Sequence, residues 1–314
     1  MSEQVNIYRR RRATAAGVLA GLLLVIVVAA RSCGGDGGAD SASAGPAARA
    51  PKRAQLPGGG RTIFPAHRVV AFYGAPQSDR LGILGIGDVD DAAAKLKRVA
   101  RAYERKTRPV MPAFELISTI ANAHPGDDGM YRSHQPAATI DRYLAAARRA
   151  KALLLLDIQP GRGDFLSEVQ RLQRWLLEPD VGLALDPEWH VGEGAVPGAE
   201  IGSVTADEVN AVSSYLANLV GKHDLPEKLF VIHQFTNDMI KDKQRVLRRP
   251  GLAVTMNVDG FGNPANKISK YEAFTSEAAR FNDGFKLFYE EDTDLMSPRQ
   301  VLALGPPPDL VIYE

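Results

Sequence analysis

Short apolar segments of strand-forming composition alternate along the chain with amphipathic helical patterns, and this alternation is the strongest constraint on the fold. When a helix separates two strands, the strands pair in parallel, because the helix carries the chain back to the same end of the sheet. The strand-like segments are residues 68–74, 109–118, 152–159, 181–188, 228–235, 252–260, 285–291 and 309–314.

Seven helical patterns separate these eight segments, and the fourth pattern begins with Thr-Ala-Asp-Glu, a capping box. The helical patterns are residues 88–106, 137–150, 164–177, 205–222, 238–249, 266–280 and 297–304. About 250 residues is the usual size of a (β/α)8 barrel. We therefore predict one TIM barrel over residues 62–314 that lacks its last helix. Residues just before Arg68, or a partner, should cover the apolar surface near strands eight and one.

The amino-terminal residues have the pattern of a membrane anchor. A basic segment, residues 1–12, precedes an apolar run at 13–31, and about 17 to 25 apolar residues cross a bilayer as a helix. The four arginines at 9–12 predict a cytoplasmic start and an extracytoplasmic barrel at the cell membrane. A cleaved signal peptide and a lipoprotein acylated at Cys33 are the alternatives. With a single cysteine, the chain has no intrachain disulfide.

Residues 32–61 are rich in Gly, Ala, Ser and Pro, which predicts a disordered linker between anchor and barrel. A net charge of +1 gives no reason to expect a nucleic-acid partner. No cofactor is predicted, since the glycines at 160–163 lack the spacing of a phosphate-binding loop. Nothing in the sequence indicates an oligomeric state.

Polar residues end many of the strand-like segments, next to two long strand-to-helix loops at 119–135 and 189–203. Active sites of parallel barrels form at this carboxyl end. Because side chains alternate across a strand, taking the more apolar set as outward leaves a polar inward set. Its members are Glu115, Asp157, Gln159, Asp186, Glu188, Asn257, Asp259 and Glu290. Carboxylates that share one rim raise each other's pKa, as acid–base sites require.

The segment Gly-Leu-Ala-Leu-Asp-Pro-Glu at 182–188 resembles the fourth-strand signature of family-18 chitinases. The segments Val-Val-Ala-Phe-Tyr-Gly at 69–74 and Met-Asn-Val-Asp at 256–259 are similar to that family's first and sixth strands. The resemblance implies that Glu188 is the general acid, that Asp186 orients a substrate acetamido group and that Asp259 is a second acid. Ala184 and Val258 stand where the family has aspartate and tyrosine.

A more general glycosidase interpretation pairs Glu188, at the end of strand four, with Glu290, at the end of strand seven, as acid/base and nucleophile. Trp189 offers a flat apolar face for a sugar ring. The predicted substrate contacts are Tyr73, Glu115, Asp157, Gln159, Trp189, His190, Gln234 and Asn257. The hypothesis is thus a membrane-anchored glycoside hydrolase that acts on a polysaccharide or cell-envelope glycan.

Two other functions fit the same residues. His190 and His233, with Asp157, Glu188 and Glu290, could form the site of a metal-dependent hydrolase. No closely spaced histidine pair supports that alternative, so the primary interpretation has no metal. The other alternative is a catalytically inactive barrel that binds a glycan or a protein.

Overall fold

In the computed structural model, which describes residues 53–277 and 280–314, eight parallel strands form a closed barrel. Closure is complete because the first strand pairs with both the second and the eighth. The strands are β1 (Arg68–Gly74), β2 (Val110–Ala121), β3 (Leu153–Ile158), β4 (Val181–Leu185), β5 (Lys228–Gln234), β6 (Leu252–Val258), β7 (Asn282–Leu287) and β8 (Leu310–Tyr313). The predicted barrel is therefore confirmed.

The helices begin at the signals that the sequence predicts. Asp164 caps the helix that begins at Phe165 by accepting a hydrogen bond from the Ser167 amide. Thr205 and Glu208 form the capping box of the helix that begins at Ala206. The helices are α1 (Val89–Arg101), α2 (Ala137–Ala150), α3 (Phe165–Arg171), α4 (Gln173–Leu176), α5 (Ala206–Lys222), α6 (Pro264–Glu277) and α7 (Pro298–Leu302).

Strand alternation divides the core into an outer and an inner part. On β4, Leu183 and Leu185 pack with the helices, whereas Ala184 belongs to the cluster inside the barrel. A side chain on Gly182 would meet the Leu155 side chain at 2.6 Å, so Leu155 fills the space that the glycine leaves. The predicted inward and outward faces of this strand are confirmed.

Two connections differ from the prediction. No α-helix forms at 238–249. Asp242 adopts a left-handed conformation there (φ 54°), and Ile240–Lys241 instead pairs with Val204–Thr205 as a two-stranded sheet. In the loop at 119–135, the strand Arg132–His134 folds back on β2 as an antiparallel neighbour. Both changes come from local pairing that hydrophobic periodicity does not reveal.

Residues 53–67 close the amino end of the barrel. Leu56, Ile63 and Phe64 are buried in the inner cluster, and the Arg61 guanidinium donates to the Ala54 and Leu225 carbonyls. The ordered fold thus begins within the predicted linker, before residue 62. The sequence predicted that this segment covers the outer surface of strands eight and one. It does not, because its apolar side chains enter the barrel.

The outer surface of β8 and β1 is covered by other elements. Tyr313 stacks on Tyr289 with ring centroids 5.3 Å apart, and its hydroxyl lies 2.6 Å from that of Tyr103, just beyond α1. Phe72 and Val311 are fully buried. The expectation of an uncovered apolar surface is therefore wrong, because α1 and the residues around α7 already bury it.

The basic segment 1–12, the anchor at 13–31 and the linker residues before 53 lie outside the described residues. Within 53–277 and 280–314, no helix combines the length and the apolar character needed to span a bilayer.

Candidate active site

Inward-facing polar side chains meet inside the carboxyl end of the barrel, where the sequence analysis predicted a polar site. They are joined by hydrogen bonds or ion pairs, and all except the half-buried Glu314 are buried. The members of this group, called here the upper layer, are Tyr73, Glu115, Asp157, Gln159, Asp186, His233, Asn257, Asp259, Lys286 and Glu314.

The Tyr73 hydroxyl links two carboxyl groups from neighbouring strands. It lies 3.3 Å from Asp157 Oδ2 and 3.3 Å from Asp186 Oδ2, and it accepts a hydrogen bond of 3.0 Å from Gln159 Nε2. Burial raises the pKa of Asp186 to about 6, although His233 and Lys286 oppose the shift. Burial and the charge of Asp186 raise the pKa of Asp157 well above its ordinary value. Both carboxyls therefore keep a proton to a higher pH than an exposed aspartate does.

The His233 imidazole lies between two other carboxylates. Its Nδ1 is 3.0 Å from Asp259 Oδ2 and its Nε2 is 2.8 Å from Glu115 Oε1. Burial would lower the pKa of His233, but Asp259 and Glu115 raise it well above its ordinary value. Asp259 also accepts a hydrogen bond from Asn257 Nδ2. The His233 imidazole thus connects Glu115 to Asp259 and, through Asp259, to Asn257.

A buried lysine on β7 completes the group. Lys286 Nζ lies 2.9 Å from Glu314 Oε2, 3.5 Å from Asp259 Oδ2 and 3.7 Å from the centroid of the Tyr73 ring. Burial would lower the pKa of Lys286, but Asp259 and Glu314 raise it well above its ordinary value. The cation therefore balances carboxylates that are largely removed from solvent.

Lys286 and Glu314 were not among the predicted site residues, and His233 was named only in the metal alternative, but the alternation rule indicates all three. Lys286 has the parity that was used for Glu290, His233 follows Leu229 and Val231, and Glu314 follows Leu310 and Ile312 on the inner face. The rule was not applied to basic residues or to Glu314, so these inward positions were missed.

Glu188 lies just above the upper layer. It belongs to a single 3₁₀ turn, Pro187–Trp189, that follows β4, and both Glu188 and Trp189 are half-buried. Burial lowers the pKa of Lys270, while the charges of Asp259 and Glu188 oppose that shift. Glu188 is thus an acid near the barrel entrance with a lysine in its electrostatic field.

His190 is also half-buried, but it packs into the loop that follows β4. Its ring contacts Phe165 with centroids 5.1 Å apart, and its Nδ1 donates to the Ser203 carbonyl at 2.8 Å. The structure does not join His190 to the upper layer by any hydrogen bond among the described residues.

Two predicted site residues, the inward residue Glu290 and the substrate contact Gln234, need correction. Glu290 lies in an exposed turn after β7, because that strand ends at Leu287 and Lys286 takes the inward position. Gln234 is buried on the outer side of β5, where its Oε1 accepts a hydrogen bond of 2.7 Å from Lys243 Nζ. Its parity matches Phe230 and Ile232, which belong to the outer cluster.

The residues that could hold a metal also differ from the predicted set. Among the described residues, Glu115, Asp157 and His233 each offer one ligand atom, and these three atoms lie within 4.8 Å of one another. Asp157 and His233 belonged to the predicted alternative, whereas Glu115 takes the place of Glu188, Glu290 and His190.

No protein-family model matches the sequence. No curated protein sequence matches it significantly. Among solved structures, the spore coat polysaccharide biosynthesis protein SpsE of Bacillus subtilis aligns with a TM-score of 0.44 and 13% identity over 80% of this chain and 61% of that one. A Ruminococcus gnavus sialic acid aldolase aligns with a TM-score of 0.40 and 13% identity over 79% and 68%.

A GH18 chitinase from Pseudoalteromonas aurantia aligns with a TM-score of 0.34 and 11% identity, over 78% of this chain and 93% of that one. The match to SpsE leaves more than a third of that protein outside the alignment. Resemblances this distant do not identify a substrate or a reaction, and the upper layer and Glu188 are the basis for a functional proposal.

Proposed function

We propose that the barrel is a glycoside hydrolase that acts on a polysaccharide or cell-envelope glycan by general acid–base catalysis. One observation carries the proposal: the buried Asp186 carboxyl, with its pKa raised to about 6, precedes the half-buried Glu188 by two residues at the carboxyl end of β4. A buried carboxyl that keeps its proton to a higher pH than usual, beside a second acid at the entrance, suits glycosidic bond cleavage.

Each site residue has a distinct role in this proposal. Glu188 is the proton donor to the leaving oxygen, and Asp186, bonded to Tyr73, donates a hydrogen bond that orients the substrate. Asp259 fixes His233, and Trp189 stacks against a sugar ring. The half-buried state of Trp189 and Glu188 supports these roles, since substrate has to reach them.

The test is a hydrolysis screen of the full-length protein against envelope glycans, chitin and other polysaccharides, with release of reducing sugar as the measurement. On any active substrate, we expect Glu188→Gln to lower kcat by about 10² to 10⁴-fold, the usual contribution of a general acid. Glu193→Gln is the matched control, because Glu193 is an exposed glutamate in the same loop.

Equal rates for Glu188→Gln and the wild-type protein on every active substrate would remove Glu188 from the mechanism. If no substrate is hydrolysed but a glycan binds, the inactive binding barrel becomes the better description.

We also propose that residues 13–31 hold the barrel at the outer side of the cell membrane. The apolar run and the preceding arginines support this location. The barrel should resist carbonate extraction from membranes and be digested when protease is added outside intact cells. A protein released into the medium would contradict an uncleaved anchor.

A further inference from the structure

Three side chains from three strands converge deep in the upper layer. Glu115 on β2, Asp157 on β3 and His233 on β5 present an oxygen, an oxygen and a nitrogen within 4.8 Å of one another. Two ligands of one zinc ion lie about 3 to 4 Å apart, since the bonds are ~2.0 to 2.2 Å long. Side-chain adjustments of less than 1 Å (~0.5 Å each) would bring the three atoms to that geometry.

Free acceptor atoms point to a missing positive partner. Glu115 Oε2 and Asp157 Oδ1 are both buried, and neither has a hydrogen-bond partner within the described residues. Such an unsatisfied acceptor destabilises the fold, and more so when it is charged. A cation between them would satisfy both oxygens at once.

The charge balance of the upper layer also favours a cation. It contains five carboxyl groups but only two basic side chains, His233 and Lys286. Lys286 forms ion pairs with Glu314 and Asp259. Among the described residues, it forms none with Glu115 or Asp157. Protons or a metal ion have to compensate the remaining carboxyls.

The orientation of His233 matches that of a metal ligand. Its Nδ1 faces the Asp259 carboxylate at 3.0 Å, and its Nε2 lies 2.8 Å from Glu115 Oε1, where a bound metal ion would replace the Nε2 proton. Metal-bound histidines commonly donate their other nitrogen to a carboxylate in this way, which fixes the tautomer and the ring orientation. Asn257 Nδ2 in turn holds the Asp259 carboxylate.

We propose that Glu115, Asp157 and His233 bind one divalent transition-metal ion of the zinc or manganese class, with Asp259 as the residue that orients His233. An imidazole with two carboxylates suits these ions better than Mg²⁺ or Ca²⁺, which prefer oxygen ligands throughout. Three protein ligands leave a coordination position for water or a substrate oxygen. Glu188 is not part of this site, and the proposal does not depend on hydrolase activity.

The experiment is calorimetric titration of Zn²⁺ and of Mn²⁺ into the full-length protein after treatment with EDTA and dialysis. We expect one of these ions to bind with a stoichiometry of one per chain and to raise the melting temperature. Asp157→Asn and Glu115→Gln should each weaken binding at least tenfold. Asp259→Asn should weaken it by about 10 to 100-fold, the usual effect of losing a residue that orients a ligand.

Asp157→Asn shows whether weaker metal binding comes from the loss of a ligand or from the loss of folding. An asparagine at this position can still accept the hydrogen bond from the Tyr73 hydroxyl, so we expect the metal-free variant to melt like the wild-type protein. Glu188→Gln is the matched control for Glu115→Gln and should bind the ion as the wild type does.

The proposal is overturned if neither ion binds, or if both ligand variants bind with unchanged affinity. A loss of binding in Glu188→Gln as large as that in Glu115→Gln would also overturn it, because the ion would then lie at the entrance. Failure of glycan hydrolysis alone would leave each of these outcomes unaffected.

Discussion

The interior of the barrel has two layers that are built on the same strands but stabilised in opposite ways. The layer at the amino end is apolar and is closed by Leu56, Ile63 and Phe64. The upper layer, at the carboxyl end, buries carboxyls with a lysine and a histidine. On β3, Leu155 belongs to the first layer and Asp157 to the second.

The difference shows how one framework serves two purposes. Apolar burial at the amino end is favourable wherever a side chain fits, at about 25 cal/mol per Å². Buried charges at the other end are tolerated only when each has a partner, because their removal from water is unfavourable. Stability should therefore reside in the amino-end layer, while the upper layer should be sensitive to the loss of any one partner.

The largest expected effect is the loss of the upper layer's lysine. Lys286→Met removes the cation that lies 2.9 Å from Glu314 and 3.5 Å from Asp259. We expect the free energy of unfolding to fall by about 3 to 5 kcal/mol, because breaking a buried ion pair leaves unpaired charge. Urea denaturation at pH 7 measures this loss.

The double variant Lys286→Met/Glu314→Gln is the control for that result. It removes the nearer carboxylate together with the lysine, so we expect it to recover part of the lost stability. A single variant as stable as the wild-type protein would show that Lys286 is not required to balance the carboxylates.

A somewhat smaller loss should follow truncation in the amino-end layer. Leu155→Ala empties the space above Gly182, where the leucine is fully buried. We expect a loss of about 2 to 5 kcal/mol, from lost burial and the cavity that remains. Leu247→Ala is the matched control, because Leu247 is 49% exposed. Equal stability of the two variants would contradict the view that this layer carries the fold.

Most of the barrel could be predicted from the sequence because strand and helix periods are set by local backbone geometry. The same alternation rule indicated Asp157, Asp186 and Asp259 as inward residues, and all three are buried in the upper layer. The rule holds for residues directly after a strand, such as Asp186 and Asp259, but fails further on, where the chain leaves the barrel wall. Glu290 is the example, since β7 ends at Leu287 and the chain turns outward.

Other features depend on contacts between distant segments, which periodicity does not encode. The pairing of Ile240–Lys241 with Val204–Thr205 replaces a predicted helix. The burial of Leu56 also falls within a segment whose composition is typical of a linker. Likewise, the position of Glu115 beside His233 depends on the closed barrel, because these residues come from β2 and β5.

The smallest expected effect is on the pH dependence of folding stability. This effect separates the two layers most sharply. Burial raises the pKa of Asp186 to about 6 in the folded protein, from an ordinary value of 3.8. The folded state therefore binds the proton more tightly than the unfolded state. The resulting stabilisation is complete below pH 3.8 and is lost as the pH rises through 6.

Asp186→Asn removes this titration while keeping the shape of the protonated carboxyl. Measured in EDTA, the stability of the variant relative to the wild type should rise by on the order of 2 kcal/mol between about pH 4 and pH 7. Asp127→Asn, at an exposed loop position, should follow the wild-type profile. Parallel profiles for Asp186→Asn and the wild type would mean that Asp186 loses its proton as easily in the barrel as in the unfolded chain. The upper layer would then hold Asp186 as a charged group, and the acid–base role proposed for it would lose its basis.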